Sequence, residues 1–584
     1  MERDIQELSE LNIRIYRTAR TIDTEATHTP LITEVEAQDT HHGWRFWAIF
    51  AALSITSILS ALDISVISTA LPTITKDLAG STSAFVWVAT AYLVTSVAFQ
   101  PLYGQTANVF GRRSLTIAAT ILFAVGSAIS GAARNINMLI AGRAIQGIGG
   151  GGINILVEII VCDLVPLRER PKYLGVIFVS FAVAMGLGPV IGGIMTQRVS
   201  WRWIFYMNLP IAGAALILLF LFLHVEYNKD SFSNLIRRVD FMGNALLIAS
   251  VVSVLLSLTW GGTESPWSSA RTLVPLILGL AGHVAFLVVE SIPSLVREPT
   301  MPLRLFSNRT SLGSFGLTFI HAVLTGWILF FLPLYFQSAL EASPTASGVN
   351  LLPTAVGIIP FAIVAGAGVS ILGKYRPFQF AGIALITITF GLFTMLNETS
   401  STGYWVGTQI LGAAGCGLLL TTTLPAIQAP LAEADQAVAT ATWGFLRSFG
   451  AVWGVSIPAA IFNSRVNALI ESVDDLPLRA VLVDGGAYAM ASKEFMQALN
   501  PTPNIKKQVV DVYVAALRLT WQVGIAFGLL GFIVALVVKE VPMREQLETD
   551  YGMTAADGAA KQEDSERNGE SDEKQRVSTL ASIE

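Results

Sequence analysis

Charge is scarce in this sequence. Of its 584 residues only 14% are Asp, Glu, Lys or Arg, against about a quarter in soluble domains. So few charges cannot clothe a water-soluble surface of this size. With 53% hydrophobic residues and a mean hydropathy of +0.59, the chain reads as a polytopic membrane protein. Cysteine is scarcer still. Cys162 and Cys416 both lie in apolar runs, which excludes a disulfide framework and makes each a small buried hydrophobe. The six histidines are scattered apart from the pair His41-His42, and with the cysteines they form no metal or nucleophile constellation. No P-loop pattern occurs, which argues against direct ATP hydrolysis. No enzyme activity, cofactor, metal or nucleic-acid partner is expected.

What is abundant is apolar sequence in blocks of spanning length, about 20 residues each. Fourteen spans are predicted, at 46–70, 83–103, 115–133, 138–162, 173–195, 203–223, 241–259, 272–292, 313–335, 349–371, 378–396, 403–424, 436–462 and 519–538. An even number puts both termini on one side. With both inside, the short inner loops hold 13 Lys and Arg residues and the short outer loops 5, which satisfies the positive-inside rule. The inner loop near 425–435 carries Glu433 and Asp435 and no basic residue. Residues 1–43 and 541–584 are polar and read as disordered cytosolic tails. The segment 463–518 is expected to be a long external loop. Residues 504–539 nevertheless look helical throughout, with Val509, Val512, Tyr513, Ala516 and Leu517 as an apolar stripe ahead of the last span. Asn397-Glu398-Thr399 is an outer-loop sequon and a glycosylation candidate; Asn308-Arg309-Thr310 lies in an inner loop and should stay bare.

Charges inside spans are costly and tend to be functional. Asp63 lies in the first span, with Thr56 and Ser60 at i−7 and i−3 on the same face. That polar stripe suggests a water-filled cavity, where a carboxylate would carry a proton. The other reading of Asp63 is a structural carboxylate bonded to a neighbouring helix. Arg143 in the fourth span keeps its charge, so its use is to tune a carboxylate, bind an anion or lock two helices; Gln146 shares its face. Glu158, further along, is placed to titrate in the cavity, and Asp163 to pair with the basic loop Arg112-Arg113. Arg447 is the deep charge of the second half. His283 and His321 read as interior histidines.

Backbone-permissive residues mark contacts. Gly188-Pro189-Val190-Ile191-Gly192-Gly193 joins a helix-bending proline to glycines that let a second helix approach. Gly147-Ile148-Gly149-Gly150-Gly151-Gly152 fits G-x-G-x-x-G but has no strand before it, so close helix packing explains it better than a nucleotide. Among the aromatics of the ninth span, Trp327 and Phe331 share a face and are the cavity candidates; Tyr335 and Phe336 read as packing or an interfacial belt.

These pieces together resemble the major facilitator superfamily, and within it the fourteen-spanning drug:proton antiporters. The matching segments are Leu62-Asp63-Ile64 through Leu71-Pro72, the loop Gly104-Gln105-Thr106-Ala107-Asn108-Val109-Phe110-Gly111-Arg112-Arg113, Arg143 with Gln146 and Gly147, the glycine–proline motif above with Ala184 in place of a first glycine, and Trp201 through Pro210. In the gating loop Asn108 replaces the usual aspartate, which leaves Asp163 as the anion for Arg112.

The resemblance implies an all-α major facilitator fold. Its two six-helix bundles, 44–223 and 313–540, would flank two inserted helices within 224–312. It also implies alternating access, with proton coupling by Asp63, Arg143 and Glu158, a cytoplasmic gate of Gly104, Asn108, Gly111, Arg112, Arg113 and Asp163, and a monomer in the lipid bilayer. Thr56, Ser60, Gln146, Trp327, Phe331 and Arg447 are the substrate-cavity candidates. Residues 42–47 look like those of filamentous-fungal members. The leading reading is proton-driven export of a small organic compound (a secondary metabolite, toxin or drug) across the plasma membrane. The alternatives are vacuolar traffic of basic amino acids or siderophores, and a membrane sensor that does not transport.

Overall fold

The structure, a computed structural model, describes residues 43–78, 82–224, 231–262 and 265–545. The two tails, apart from residue 43 and residues 541–545, lie outside the described residues. By contacts the chain divides into residues 1–47 and 48–584. Of the first unit, the described part is the opening turn of a helix, with Phe46 edge-on to Trp47.

Among the described residues fourteen long helices follow in order: α1 Trp44–Asp77, α2 Thr82–Phe110, α3 Arg112–Gly131, α4 Ile136–Leu164, α5 Arg170–Arg198, α6 Asn208–Phe222, α7 Phe241–Trp260, α8 Ala270–Glu290, α9 Arg309–Ser338, α10 Pro344–Leu372, α11 Arg376–Phe393, α12 Thr402–Leu420, α13 Gln436–Leu469 and α14 Pro503–Val537. A short turn, Trp203–Tyr206, leads into α6, and Thr423–Gln428 extends α12. Among the described residues, thirteen segments are long and apolar enough to cross a membrane. The fourteenth helix, α2, has 29 residues, ample at about 1.5 Å per residue to cross with the others. Helices suit this setting because every backbone group is satisfied within the segment.

Two bundles are recognisable by contact. In the first, α4 packs on α2 and α3, and α3 on α6; in the second, α9 packs on α13 and α14, and α12 on α10 and α11. The bundles meet where α2 and α4 touch α13 and where α5 touches α10. The inserted helices α7 and α8 pack on each other, and α7 lies on α2 and α13. The outward faces of α5 and α8 expose Val183, Leu187, Val190, Ile277, Leu278 and Val284, an apolar surface that lipid would cover.

The glycine run of α4 is a packing device. A methyl on Gly147 would stand 2.4 Å from the Tyr92 carbonyl oxygen of α2, and one on Gly149 2.4 Å from the Phe123 nitrogen of α3. The glycines thus serve two neighbouring helices at once.

Two segments differ from the sequence expectation. The stretch after α13 is no open loop: short helices at Leu476–Leu482, Gly486–Met490 and Lys493–Ala498 form a cap. Its packing on α14 explains the apolar stripe of Val509, Tyr513 and Ala516, all fully buried. Residues 541–545, expected in a disordered tail, are packed down. The Val541 N–H donates to the Tyr375 hydroxyl at 2.8 Å, and Met543 is buried.

Candidate functional site

Asp63 lies fully buried in α1, and three side chains converge on it. Arg143 Nη1 of α4 donates to Oδ2 at 2.5 Å. Gln146 Nε2 and Asn208 Nδ2 donate to Oδ1 at 2.8 and 2.9 Å. Both amides also donate to Ser127 Oγ of α3, at 3.1 and 3.0 Å. Arg143 in turn donates to Gln146 Oε1 at 2.8 Å and lies 4.5 Å over the ring of Tyr92. Three helices, α1, α4 and α6, are therefore tied through one carboxylate, and α3 joins them through Ser127. An ion pair this dry survives only when its remaining donors and acceptors are also satisfied. Gln146, Asn208 and Ser127 supply that.

The expected water-filled stripe is corrected here. Thr56 and Ser60 are fully buried; Thr56 donates to the Ala52 carbonyl at 2.7 Å and Ser60 meets the Tyr92 hydroxyl at 3.2 Å. Gln146, another cavity candidate, is likewise sealed in protein. Periodicity shows which residues share a face but not what covers that face. Sequence reasoning also passed over Asn208, Ser127 and Tyr92. For Asn208 the available signals were a lone Asn opening an apolar span and its place in the Trp201–Pro210 segment.

A second pair crosses between bundles. Arg447 Nη2 of α13 donates to Glu158 Oε1 of α4 at 2.5 Å. The guanidinium is flanked by Trp443 at 4.2 Å and Phe178 of α5 at 5.2 Å. Glu158 Oε2 and Arg447 Nη1 are buried without a hydrogen bond. Glu158, expected to titrate in the cavity, is buried and paired with Arg447, and the Arg447 side chain, a cavity candidate, keeps partial exposure beside it.

At the end of the molecule carrying the α2–α3 loop, the bundles are latched together. Arg112 Nε donates to Asp163 Oδ2 at 2.9 Å and its Nη1 to the Ala107 carbonyl at 3.0 Å, the pairing expected in the absence of an aspartate at Asn108. Arg113 does not join them; it donates to the Phe220 carbonyl. Gly111 turns the chain with φ 82°. Three contacts unforeseen from sequence reach across. Arg170 donates to Gln428 and Gln436 at 2.9 and 2.8 Å. Arg168 donates to the Ser370 and Ile371 carbonyls at 2.7 and 2.8 Å. The acidic loop reaches across through Glu433, 3.9 Å from Arg170 Nη2, while on its own side Asp435 accepts from Arg304 at 2.8 Å and Glu433 from Arg544 at 3.5 Å. The opposite end has its own clasp, where Trp201 Nε1 donates to Asp77 at 2.9 Å. That bond, with Arg202 beside it, holds the exposed Asp77 carboxyl below the usual carboxylate range.

Toward that opposite end a cavity of about 710 Å³ opens between α2, α7, α9 and α13. Trp327 and Phe331 do not line it. Both are fully buried inside the second bundle, Trp327 against Phe390 and Phe527, Phe331 against Phe462 and Tyr488. Their neighbour Phe330 lines the cavity. Tyr335 and Phe336 are also buried, so neither belongs to an interfacial belt; the Tyr335 hydroxyl donates to the Asn397 carbonyl at 2.8 Å. Asn397 itself sits in the α11–α12 turn, its Oδ1 accepting from the Thr399 nitrogen at 2.9 Å. His321 is buried, whereas His283, expected to be interior as well, is half-buried on α8 and stacked on Phe449.

In α5, Gly188 abuts α1 so closely that a methyl there would lie 1.8 Å from Ser65 Oγ. Pro189 follows inside the helix and Gly192 is buried. Gly193 faces open space, so the motif makes its close contact on one side only.

Comparison with known proteins agrees with this architecture. The family model described as Major Facilitator Superfamily matches residues 53–455. The MFS-type efflux pump LUC4 of Fusarium sp. is 50% identical over 527 residues, covering 90% of this chain and 93% of that protein. The efflux pump FUS6 of Gibberella fujikuroi is 49% identical, covering 90% and 95%. Among solved structures, the human organic anion transporter MFSD10 (TETRAN) aligns with a TM-score of 0.54 at 15% identity, over 84% of this chain and 99% of that one.

Proposed function

The chain belongs to the major facilitator superfamily, a multi-pass membrane transporter of small molecules rather than an enzyme, and on that premise we propose that it exports small organic compounds in exchange for protons. The observation that carries the proton half is Asp63, fully buried and held by Arg143, Gln146 and Asn208. A proton arriving there would cancel the charge that ties α1 to α4 and α6. Glu158 is the second titrating group. Its bond to Arg447 joins the bundles, so protonation would weaken a contact that must break when the Arg112 end opens. The export half draws on the relatives named as efflux pumps. The Arg112 end, rich in Lys and Arg, is cytoplasmic in this reading, the cavity opens outward, and the plasma membrane is the site of action.

The test is accumulation of fungal metabolites and azole-type drugs in pump-deficient yeast expressing the protein, with and without a protonophore. Lower accumulation that the protonophore abolishes is expected. Unchanged accumulation of every compound, with the protein at the cell surface, would reject it.

A further inference from the structure

The cavity between α2, α7, α9 and α13 has a chemistry of its own. Its inner wall is Leu93, Leu258, Phe330, Val452 and Val455. At about 710 Å³ it falls in the range of small-molecule sites. Among the described residues the one charged side chain lining it, Asp484, belongs to the roof. That carboxylate already accepts from Asn467 Nδ2 at 3.0 Å. The Thr259 hydroxyl is committed to the Leu255 carbonyl at 2.8 Å, and Ser456 to Leu258 and Val452. Asn463 is different: its Oδ1 is buried and accepts no hydrogen bond. An unfilled acceptor in an apolar wall costs free energy until a donor arrives.

The roof is seated on the inserted helix. Asp484 and Gly485 both have positive φ, 52° and 94°. A methyl on Gly485 would lie 2.6 Å from the Gly262 carbonyl oxygen just past α7. The end of α7 therefore serves as one wall of the cavity and as the rest for its roof.

We propose that this chamber binds an uncharged, largely apolar molecule carrying a hydrogen-bond donor for Asn463, with the inserted helix α7 as part of the site. A cation would need an anion within the apolar wall, and an anion would face Asp484 at the roof. The assignment rests on the export reading for its purpose, but binding is measured without transport.

The probes are carbazole, uncharged and planar with one N–H, and the 2-methyl-β-carbolinium ion, a cation of nearly the same shape that keeps the N–H. Thr259→Cys on α7 and Val455→Cys on α13 are made in full-length protein with Cys162 and Cys416 replaced by alanine, purified into lipid nanodiscs and alkylated with N-phenylmaleimide. Carbazole at ten times its Kd is expected to slow both reactions about tenfold by simple occupancy, and the carbolinium ion at that concentration to slow neither. Protection of Val455→Cys alone would remove α7 from the site. Equal protection by both compounds would overturn the uncharged class, and protection by neither would overturn the site. Protection by carbazole, with no proton-driven export of any compound from cells, would keep the site and defeat the export reading.

Discussion

Gly104 of α2 and Ala441 of α13 meet so closely that a methyl on Gly104 would stand 2.1 Å from the Ala441 Cβ. Neither atom has a flexible chain to move aside, so the contact is available only while one partner is glycine. It lies on the helix pair that joins the bundles near the Arg112 end. Gly104→Val is expected to hold that end apart and stop export. Gly104→Ala with Ala441→Gly moves the methyl to the other helix and should restore activity. The native Cys162 reports the state directly. It is buried in the latch, where Gln428 Nε2 lies 3.6 Å from its sulfur, so its alkylation should rise in Gly104→Val and return to the original rate in the double variant.

The Asp63 network separates stability from coupling. Asp63→Asn leaves Arg143 buried without its counter-ion, which costs about 3–5 kcal/mol when a buried pair loses one member. Arg143→Gln costs a similar amount. The double variant Asp63→Asn/Arg143→Gln should regain much of the thermal stability, because no charge is left uncompensated, while proton-driven export stays absent. Melting of the purified protein and efflux under an imposed pH gradient check the two halves.

Glu158→Gln keeps the shape of the side chain and removes the charge facing Arg447. Export is expected to fall and Cys162 to become more reactive, since the bundle-spanning contact is weakened from the α4 side. Arg447→Lys keeps the charge but loses the planar group between Trp443 and Phe178. It should reduce export less than Glu158→Gln does.

Phe330 and Trp327 make a matched pair for the cavity. Trp327→Ala empties a packed core, at a cost of about 3–5 kcal/mol, and should lower the melting temperature. Phe330→Ala removes a half-exposed side chain from the cavity wall. It should leave melting nearly unchanged and alter which compounds are exported, as a panel of efflux rates would show.

The Asp77 clasp gives a pH signature. Its carboxyl is held below the usual range by Trp201 and Arg202, so the folded state favours the ionised form. Its stabilisation is full above the ordinary carboxylate value, about 3.9, and is lost as pH falls through the lowered folded value. The melting difference between the parent protein and Asp77→Asn should be small at pH 7, with the parent the more stable, and should vanish in strong acid.

Which of these features the sequence disclosed follows from how local they are. Helix existence, order and length follow from apolar blocks, and the glycine faces of α4 and α5 follow from residue type. The Arg112–Asp163 pair was legible because the gating motif lacks its own acid at Asn108. The amphipathic start of α14 was legible because its stripe spans several turns. Partners across the fold were not. Arg143 meets Asp63 from 80 residues away, and Arg447 meets Glu158 from 289.

The sequence by itself determined that this chain lies in a membrane as some fourteen helices with charge confined to a few interior positions, because transfer into lipid acts on each segment separately. Tertiary structure alone decided that Asp63 faces donors rather than water. It also decided that Glu158 and Arg447 join the bundles, and that Phe330 rather than Trp327 or Phe331 lines the cavity. A helical side chain's direction is set by its place in the turn, about 100° per residue. What stands in that direction is set by the packing of helices distant in the chain.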